Sequence, residues 1–222
     1  MADRFIVNTA AAADPVSAVA ELAQWNAIGG SRAASGDLAW RRLSPWREAV
    51  ASLFDAAVHR PLLQGIRRVE LNWGTGASCP GRAQTLYLAG WLAARLGWHL
   101  PSAAEPGDGE QMDLSWTSPA GGLSMMIRRG AQGDPALVLV AHEPGGGVVT
   151  ARVGRGGVAQ ASLQRPGRPP WEGPAPAPLE DLSATLAREL EFRRREPVFA
   201  EALAMAGDVA TLWRSTGGST AP

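Results

Sequence analysis

The stretch GTGASCPGRAQ, residues 74 to 84, puts a thiol (Cys79) and a guanidinium (Arg82) in a glycine-rich turn. Such a turn between a strand and a helix can cradle phosphate, because the first N–H groups of the helix lack partners and point at the ligand. Gly76 and Gly81 have P-loop spacing, but Arg82 and Ala83 stand where that loop needs Lys and a hydroxyl. Pro80 also removes a backbone donor. Gly74 and Gly76 open a dinucleotide fingerprint whose third glycine comes too late. A nucleotide loop is therefore rejected. Three readings stay open: a weaker anion site at Arg82, a reactive thiol at Cys79 with its pKa lowered beside Arg82, or a plain helix start. In the last, Ser78 or Cys79 caps and Pro80 lies in the first turn.

Other chemistry is sparse. His59, His99 and His142 lie far apart with no zinc spacing. There is no Gly-x-Ser-x-Gly elbow, and the acidic residues are scattered. The expectation is no catalytic residue, no metal site and no cofactor. Cys79 is the only cysteine, so an intrachain disulfide is excluded. Lysine is absent, and 21 arginines balance 21 acidic residues. A zero net charge argues against a nucleic-acid binder that works by neutralising phosphates. No apolar run reaches the roughly 18 residues of a membrane span, and the cytoplasm is the expected location.

The elements that position these residues follow from local pattern. RFIVN (4 to 8) reads as a strand, and Asp14 with Pro15 starts a helix. GGSRAASG reads as a loop and DLAWRRL as a short helical turn. SPWREAVASLFDAAV reads as an amphipathic helix capped by Ser44. IRRVELN is a strand. The helix after the glycine-rich turn, ending near Gly97, carries only Arg95 between Leu86 and Trp98 and so should be buried. Gly90 in its middle implies close approach of a neighbouring backbone.

From residue 110, QMDLSWTS, LSMMIRR, ALVLVAH, GVVTARV and VAQASLQ are strands at hairpin spacing, which suggests an antiparallel meander. A Pro-rich crossover (165–178) follows. Leu179, Leu182, Leu186 and Leu190 then stand at helical spacing, Glu196–Pro197 interrupts, and VFAEALAMAGDVATLW is a last helix. The expected fold is α/β (α+β), with a mixed, largely antiparallel sheet, packed helices and two C-terminal helices. Its parts are a core at 1–164, the crossover at 165–178, helices packing on the core at 179–213 and a disordered tail at 214–222.

One cluster has the composition of a protein interface. DLAWRRLSPWRE gathers Trp40, Arg41, Arg42, Trp46 and Arg47 within eight residues. Trp and Arg anchor binding surfaces, and Arg clamps carboxylates or phosphates bidentately. A core Trp pair with solvated arginines is the alternative. At this motif, GDLAWRRLSPWREAVASLFD, the sequence resembles the OpcA family of glucose-6-phosphate dehydrogenase assembly proteins. LAGWLAARLGW (88 to 98), LSMMIRRG (123 to 130), PGRPP (166 to 170) and LARELEFRRREPVFAEAL (186 to 203) match in order. DRFIVNT is similar to the segment that begins the second half of these proteins.

The resemblance implies a non-catalytic subunit that binds glucose-6-phosphate dehydrogenase, promotes its active oligomer and serves the oxidative pentose phosphate pathway. It also implies a further α/β domain before the equivalent of Asp3. The five residues of the Trp/Arg motif are the candidate contact or contact-supporting residues. The rival expectation is a small-molecule sensor that binds a sugar phosphate or other anion without catalysis.

Overall fold

The computed structural model describes residues 4–28, 34–74, 80–100, 109–143, 145–155, 158–174, 181–191 and 196–216. Cys79 lies outside them, as do Leu179 and 217–222 of the expected tail. β1 (Arg4–Val7) pairs in parallel with β2 (Ala34–Asp37), and α1 (Pro15–Ile28) connects them. Asp14 caps α1 as its sequence predicts. Its Oδ1 accepts the Val16 and Ser17 N–H groups at 3.0 and 3.2 Å. Burial raises the Asp14 pKa, but these bonds and the Ser17 hydroxyl together hold it below its ordinary value. β2 arises where a loop was expected. SGD has no apolar alternation, so only pairing with β1 makes it a strand.

Two short helices follow, α2 (Leu38–Arg41) and α3 (Ser44–Ser52), then α4 (Leu62–Gly65) and β3 (Ile66–Trp73). Ser44 is inside α3 and does not cap it. Its hydroxyl donates to the Arg41 carbonyl at 2.9 Å, and Leu43 holds the cap position. α3 is also shorter than expected and ends before Ala57, which is exposed.

α5 (Arg82–Leu96) is buried nearly all round, as its lack of charge requires, and ends at Gly97 in a left-handed cap (φ 63°). Gly81 takes its N-cap position, one residue after Pro80, and the Gln84 Oε1 accepts the Gly81 N–H at 2.8 Å. β4 (Gln111–Ser118), β5 (Gly121–Arg129), β6 (Leu137–His142), β7 (Val148–Arg155), β8 (Val158–Gln164) and β9 (Trp171–Glu172) complete the strands. α6 (Leu182–Glu191) and α7 (Pro197–Thr216) complete the helices. α7 runs through Arg214–Thr216, where the sequence suggests a tail.

The sheet order is β4-β5-β3-β6-β7-β8-β9. It is antiparallel except between β3 and β5, which makes the fold mixed α/β as expected. The simple meander does not form, because β3 is inserted between β5 and β6. The β5–β6 connection crosses the end of β3 and is pinned there. The Asn72 amide donates to the Pro135 carbonyl at 2.8 Å, and the Asn72 N–H to that of Ala136 at 2.9 Å.

One face of the sheet carries Leu114, Met125, Leu71, Leu139, Ala151 and Leu163, all buried. α5 covers it, with α7 and α1 packed behind. Two glycines set these crossings. A Cβ on Gly90 would lie 2.3 Å from the Ala202 carbonyl of α7, and one on Gly207 would lie 2.2 Å from the Ala23 Cβ of α1. The close approach inferred for Gly90 is therefore made by α7.

Candidate functional site

The Trp/Arg motif folds inward. Asp37 is the N-cap of α2, accepting the Ala39 N–H at 2.8 Å, and turns the chain so that Trp40 enters the core. Trp40 is 1% exposed and Trp46 4%. The Trp46 ring lies where a Cβ of Gly154 would stand, which seats α3 on β7. Trp40 packs edge-on against Tyr87 and tilted against Phe199, with ring centroids 6.1 and 5.6 Å away. Neither tryptophan can offer area to a partner.

The arginines are held by carboxylates far along the chain. Arg41 Nε donates to Glu189 Oε2 at 2.6 Å, and one of its terminal nitrogens to Glu196 Oε2 at 3.4 Å. Trp40 Nε1 donates to Glu196 Oε1 at 3.2 Å. Arg47 stacks over the Trp40 ring, 3.7 Å from its centroid, and faces Glu196 at 3.8 Å. Burial lowers the Arg47 pKa to about 10, while the Glu196 charge opposes that fall. Arg47 therefore remains a cation at neutral pH. Arg42 caps the end of α2 and is half-buried. The motif thus clamps α6 and the start of α7.

This clamp fixes which face of α6 points outward. Asp181 caps the helix: its Oδ1 accepts the Ala184 N–H at 2.7 Å and the Ser183 hydroxyl at 2.8 Å, and these bonds hold its carboxyl below the ordinary value. The packed face consists of Thr185 and Glu189. The Glu189 side chain is 3% exposed and that of Arg41 is 11%. Leu182, Leu186 and Leu190 point to solvent, 48%, 39% and 63% exposed. Their spacing is helical, as read from the sequence, but it marks the outer face. Glu189 and Glu196, the two acids that complete the clamp, do not stand out in the sequence. Their one signal is Glu189, one helical turn from Leu186 and so on the flank of the leucine stripe.

At the glycine-rich turn, Arg82 is already engaged. Its guanidinium lies 4.3 Å from the Trp73 ring centroid and 5.1 Å from that of Trp213, and it donates to the Gly109 carbonyl. Burial lowers its pKa, and Asp14 and Glu110 partly oppose this. The Gly74 N–H closes the turn on the Pro80 carbonyl at 3.0 Å.

A buried polar cluster was also not foreseen from the sequence. The Asp37 Oδ2 accepts the Tyr87 and Thr9 hydroxyls, both at 2.6 Å. Burial pushes the Asp37 carboxyl above its ordinary value, and burial together with that carboxylate raises Tyr87 well above its own. These bonds tie β2 to α5 and leave no acceptor turned outward. The histidines do not converge: the His59 Nδ1 is 2.8 Å from the Leu53 carbonyl, and His99 bridges Thr117. Among the described residues no group of three His, Cys, Asp or Glu could hold a metal ion, and no helix is long and apolar enough to cross a membrane.

One cavity of about 330 Å³ opens between α3, α5 and the sheet, lined by Phe54, Leu63, Trp91 and Leu96 with Arg60 and Arg95 among its walls. Arg95 pairs with Glu201, and Arg60 donates to the Asp55 carbonyl at 3.4 Å.

Residues 33–203 match the family model for the C-terminal domain of the glucose-6-phosphate dehydrogenase subunit. Among curated proteins the chain is similar to an OxPP cycle protein OpcA of Nostoc punctiforme, 42% identical over 62 residues (28% of this chain, 12% of that protein). It is also similar to one of Synechocystis, 33% identical over 97 residues (44% of this chain, 19% of that protein). The matched stretches therefore span less than a quarter of these relatives' length. Among solved structures, a variant of the 3-ketoreductase KijD10 from Actinomadura kijaniata aligns with a TM-score of 0.57 at 10% identity, over 95% of this chain and 69% of that one. A super-repressor mutant of Gal80p from Saccharomyces cerevisiae aligns with a TM-score of 0.55 at 10% identity, over 96% and 70%. One is a reductase and the other a repressor, so the shared fold does not decide chemistry.

Proposed function

The chain belongs to the family defined by the C-terminal domain of the glucose-6-phosphate dehydrogenase subunit, and from that premise we propose that it is a non-catalytic docking module for glucose-6-phosphate dehydrogenase. The observation that carries this reading is the solvent-exposed leucine stripe of α6. A buried ion pair, Arg41–Glu189, holds the helix with Leu182, Leu186 and Leu190 in water. An amphipathic helix packed only within its own domain buries its apolar stripe. A stripe kept outward against that preference fits a surface that is covered in a complex. The occupant is the dehydrogenase, the protein named in the family's own description.

Of the Trp/Arg motif, Arg41 then holds α6 directly, and Trp40 and Arg47 hold Glu196 between α6 and α7. Trp46 and Arg42 support them by seating α3 on β7 and closing α2, and none of the five touches a partner. Binding raises dehydrogenase activity by population shift: the module binds the assembled, active form more tightly and so favours it. In this reading the chain works in the cytoplasm, in the oxidative pentose phosphate pathway, and carries no reaction of its own. Co-elution with the same organism's dehydrogenase, with activity measured, tests it. Complex formation and activation are expected from the wild type, and neither from the Leu186→Glu variant. A wild-type chain that neither co-elutes nor activates overturns the proposal.

The second reading, a small-molecule sensor, is favoured by the cavity beside Trp91. Its walls suit an apolar ligand with an acidic end better than a sugar phosphate.

A further inference from the structure

The seven-stranded sheet is covered on the face that carries Leu139. α3, α4 and α5 meet it there, where Val50, Leu63 and Leu92 line one cavity with Leu139. On the opposite face, Arg68 and Glu70 alternate with buried Val69 and Leu71 and so project outward. They pair with each other at 2.6 Å. Beside them on β6 stand Val140, in register with Arg68, and Val138, in register with Glu70, both half-buried. The same two rows continue through Thr150 and Arg152 on β7 and through Ser124 and Met126 on β5.

These rows are complementary to each other, and we propose that the open face binds a second copy of this chain in an isologous dimer. A two-fold axis between the two sheets, running across the strands midway between the rows, lays each row over the other. Arg68 then meets Glu70 of the second copy, Glu70 meets its Arg68, and Val138 meets its Val140. The ion pair within one chain becomes a four-membered network flanked by valines. Stacked sheets cross at about 30°, so this register holds best at the centre, and β3 and β6 are the central strands of the face. Strands about 4.8 Å apart, rising about 3.3 Å per residue, make the face roughly 700 Å². That approaches the ~800 Å² per partner of a stable interface. A face of one sign would call for an oppositely charged partner, whereas this one carries both signs in adjacent rows and matches itself.

Sedimentation velocity of the full chain tests this with no dehydrogenase present, so its outcome is independent of the docking proposal. The wild type should be a dimer. Arg68→Glu alone sets two carboxylates against each other across the interface, and Glu70→Arg alone places two arginines together. Each should weaken the dimer by roughly tenfold to a hundredfold. The double variant Arg68→Glu/Glu70→Arg should restore it, and Val140→Asp should abolish it. All three positions project from the open face, and circular dichroism verifies that each variant is folded. A wild type that is monomeric at every concentration overturns the proposal. So does a dimer indifferent to Val140→Asp and to both charge reversals, or a double variant that fails to recover.

Discussion

α6 and α7 follow one another in the chain and solve the same packing problem in opposite ways. α7 buries Phe199, Leu203, Val209 and Trp213, and its small residues admit α5 and α1 to backbone distance. α6 turns Thr185 and Glu189 inward and leaves three leucines in water. α7 is held chiefly by apolar contact, and its ion pair to α5, Arg95–Glu201, lies at the solvent-exposed rim of that interface. α6 is held by a guanidinium from a distant helix, which costs desolvation on both sides and repays it only if the geometry is good. A helix meant solely to stabilise its domain gains more from the α7 arrangement. The α6 arrangement makes sense where the apolar face has another use.

Breaking each attachment should separate the two cases. Glu189→Ala carries the largest expected effect. It removes the 2.6 Å partner of Arg41 and leaves Glu196 at 3.4 Å as a weaker one, so the loss lies toward the lower end of the about 3–5 kcal/mol that breaking a buried pair costs. Urea denaturation should show a loss of that size, with dehydrogenase activation lost as α6 detaches. A loss below about 1 kcal/mol would mean that the pair contributes like a surface salt bridge and does not fix the helix.

Gly90→Ala probes α7 next. The added methyl would stand 2.3 Å from the Ala202 carbonyl and 2.7 Å from the Ala206 nitrogen, so α5 and α7 must separate. Overpacking of this kind costs about 1–3 kcal/mol, against a gain of about 1 kcal/mol in helix propensity. Because the methyl meets backbone atoms, the cost lies in the upper part of that range, about 2–3 kcal/mol, which leaves a net loss of roughly 1–2 kcal/mol on urea denaturation. An unchanged or increased stability would show that the crossing is looser than these distances require.

The same contrast explains what the sequence could and could not disclose. Strands and helices were legible wherever a local period set them: β4 by Met112, Leu114 and Trp116, α5 by its lack of charge, α1 by Asp14 and Pro15. The place of β3 between β5 and β6 was not, because a strand's partner is chosen by contacts far away in sequence. β2 was missed for the same reason. The Trp/Arg motif was legible as a place where cations are held, but not as facing inward. Residue type shows that Arg41 and Arg47 will seek carboxylates. It does not show that the carboxylates stand at 189 and 196 of the same chain. The leucine stripe of α6 was visible as a period, and a period has no sign: it shows that one face is apolar but not which way that face is turned.

That sign is what the smallest expected effect decides. Leu182→Ser, Leu186→Ser and Leu190→Ser combined alter a face already 39% to 63% exposed. If the face is free in the isolated domain, urea denaturation should register a change of about 0.5 kcal/mol or less per site, as surface substitutions do. Three leucines packed in a core would together cost several times more, since each buried Leu truncation costs about 2–5 kcal/mol. The same triple variant should lose co-elution with the dehydrogenase while remaining folded. Near-wild-type stability with binding abolished makes the outward face of α6 a docking surface. A variant that melts with the domain would place α6 in the same class as α7, with its leucines serving the fold.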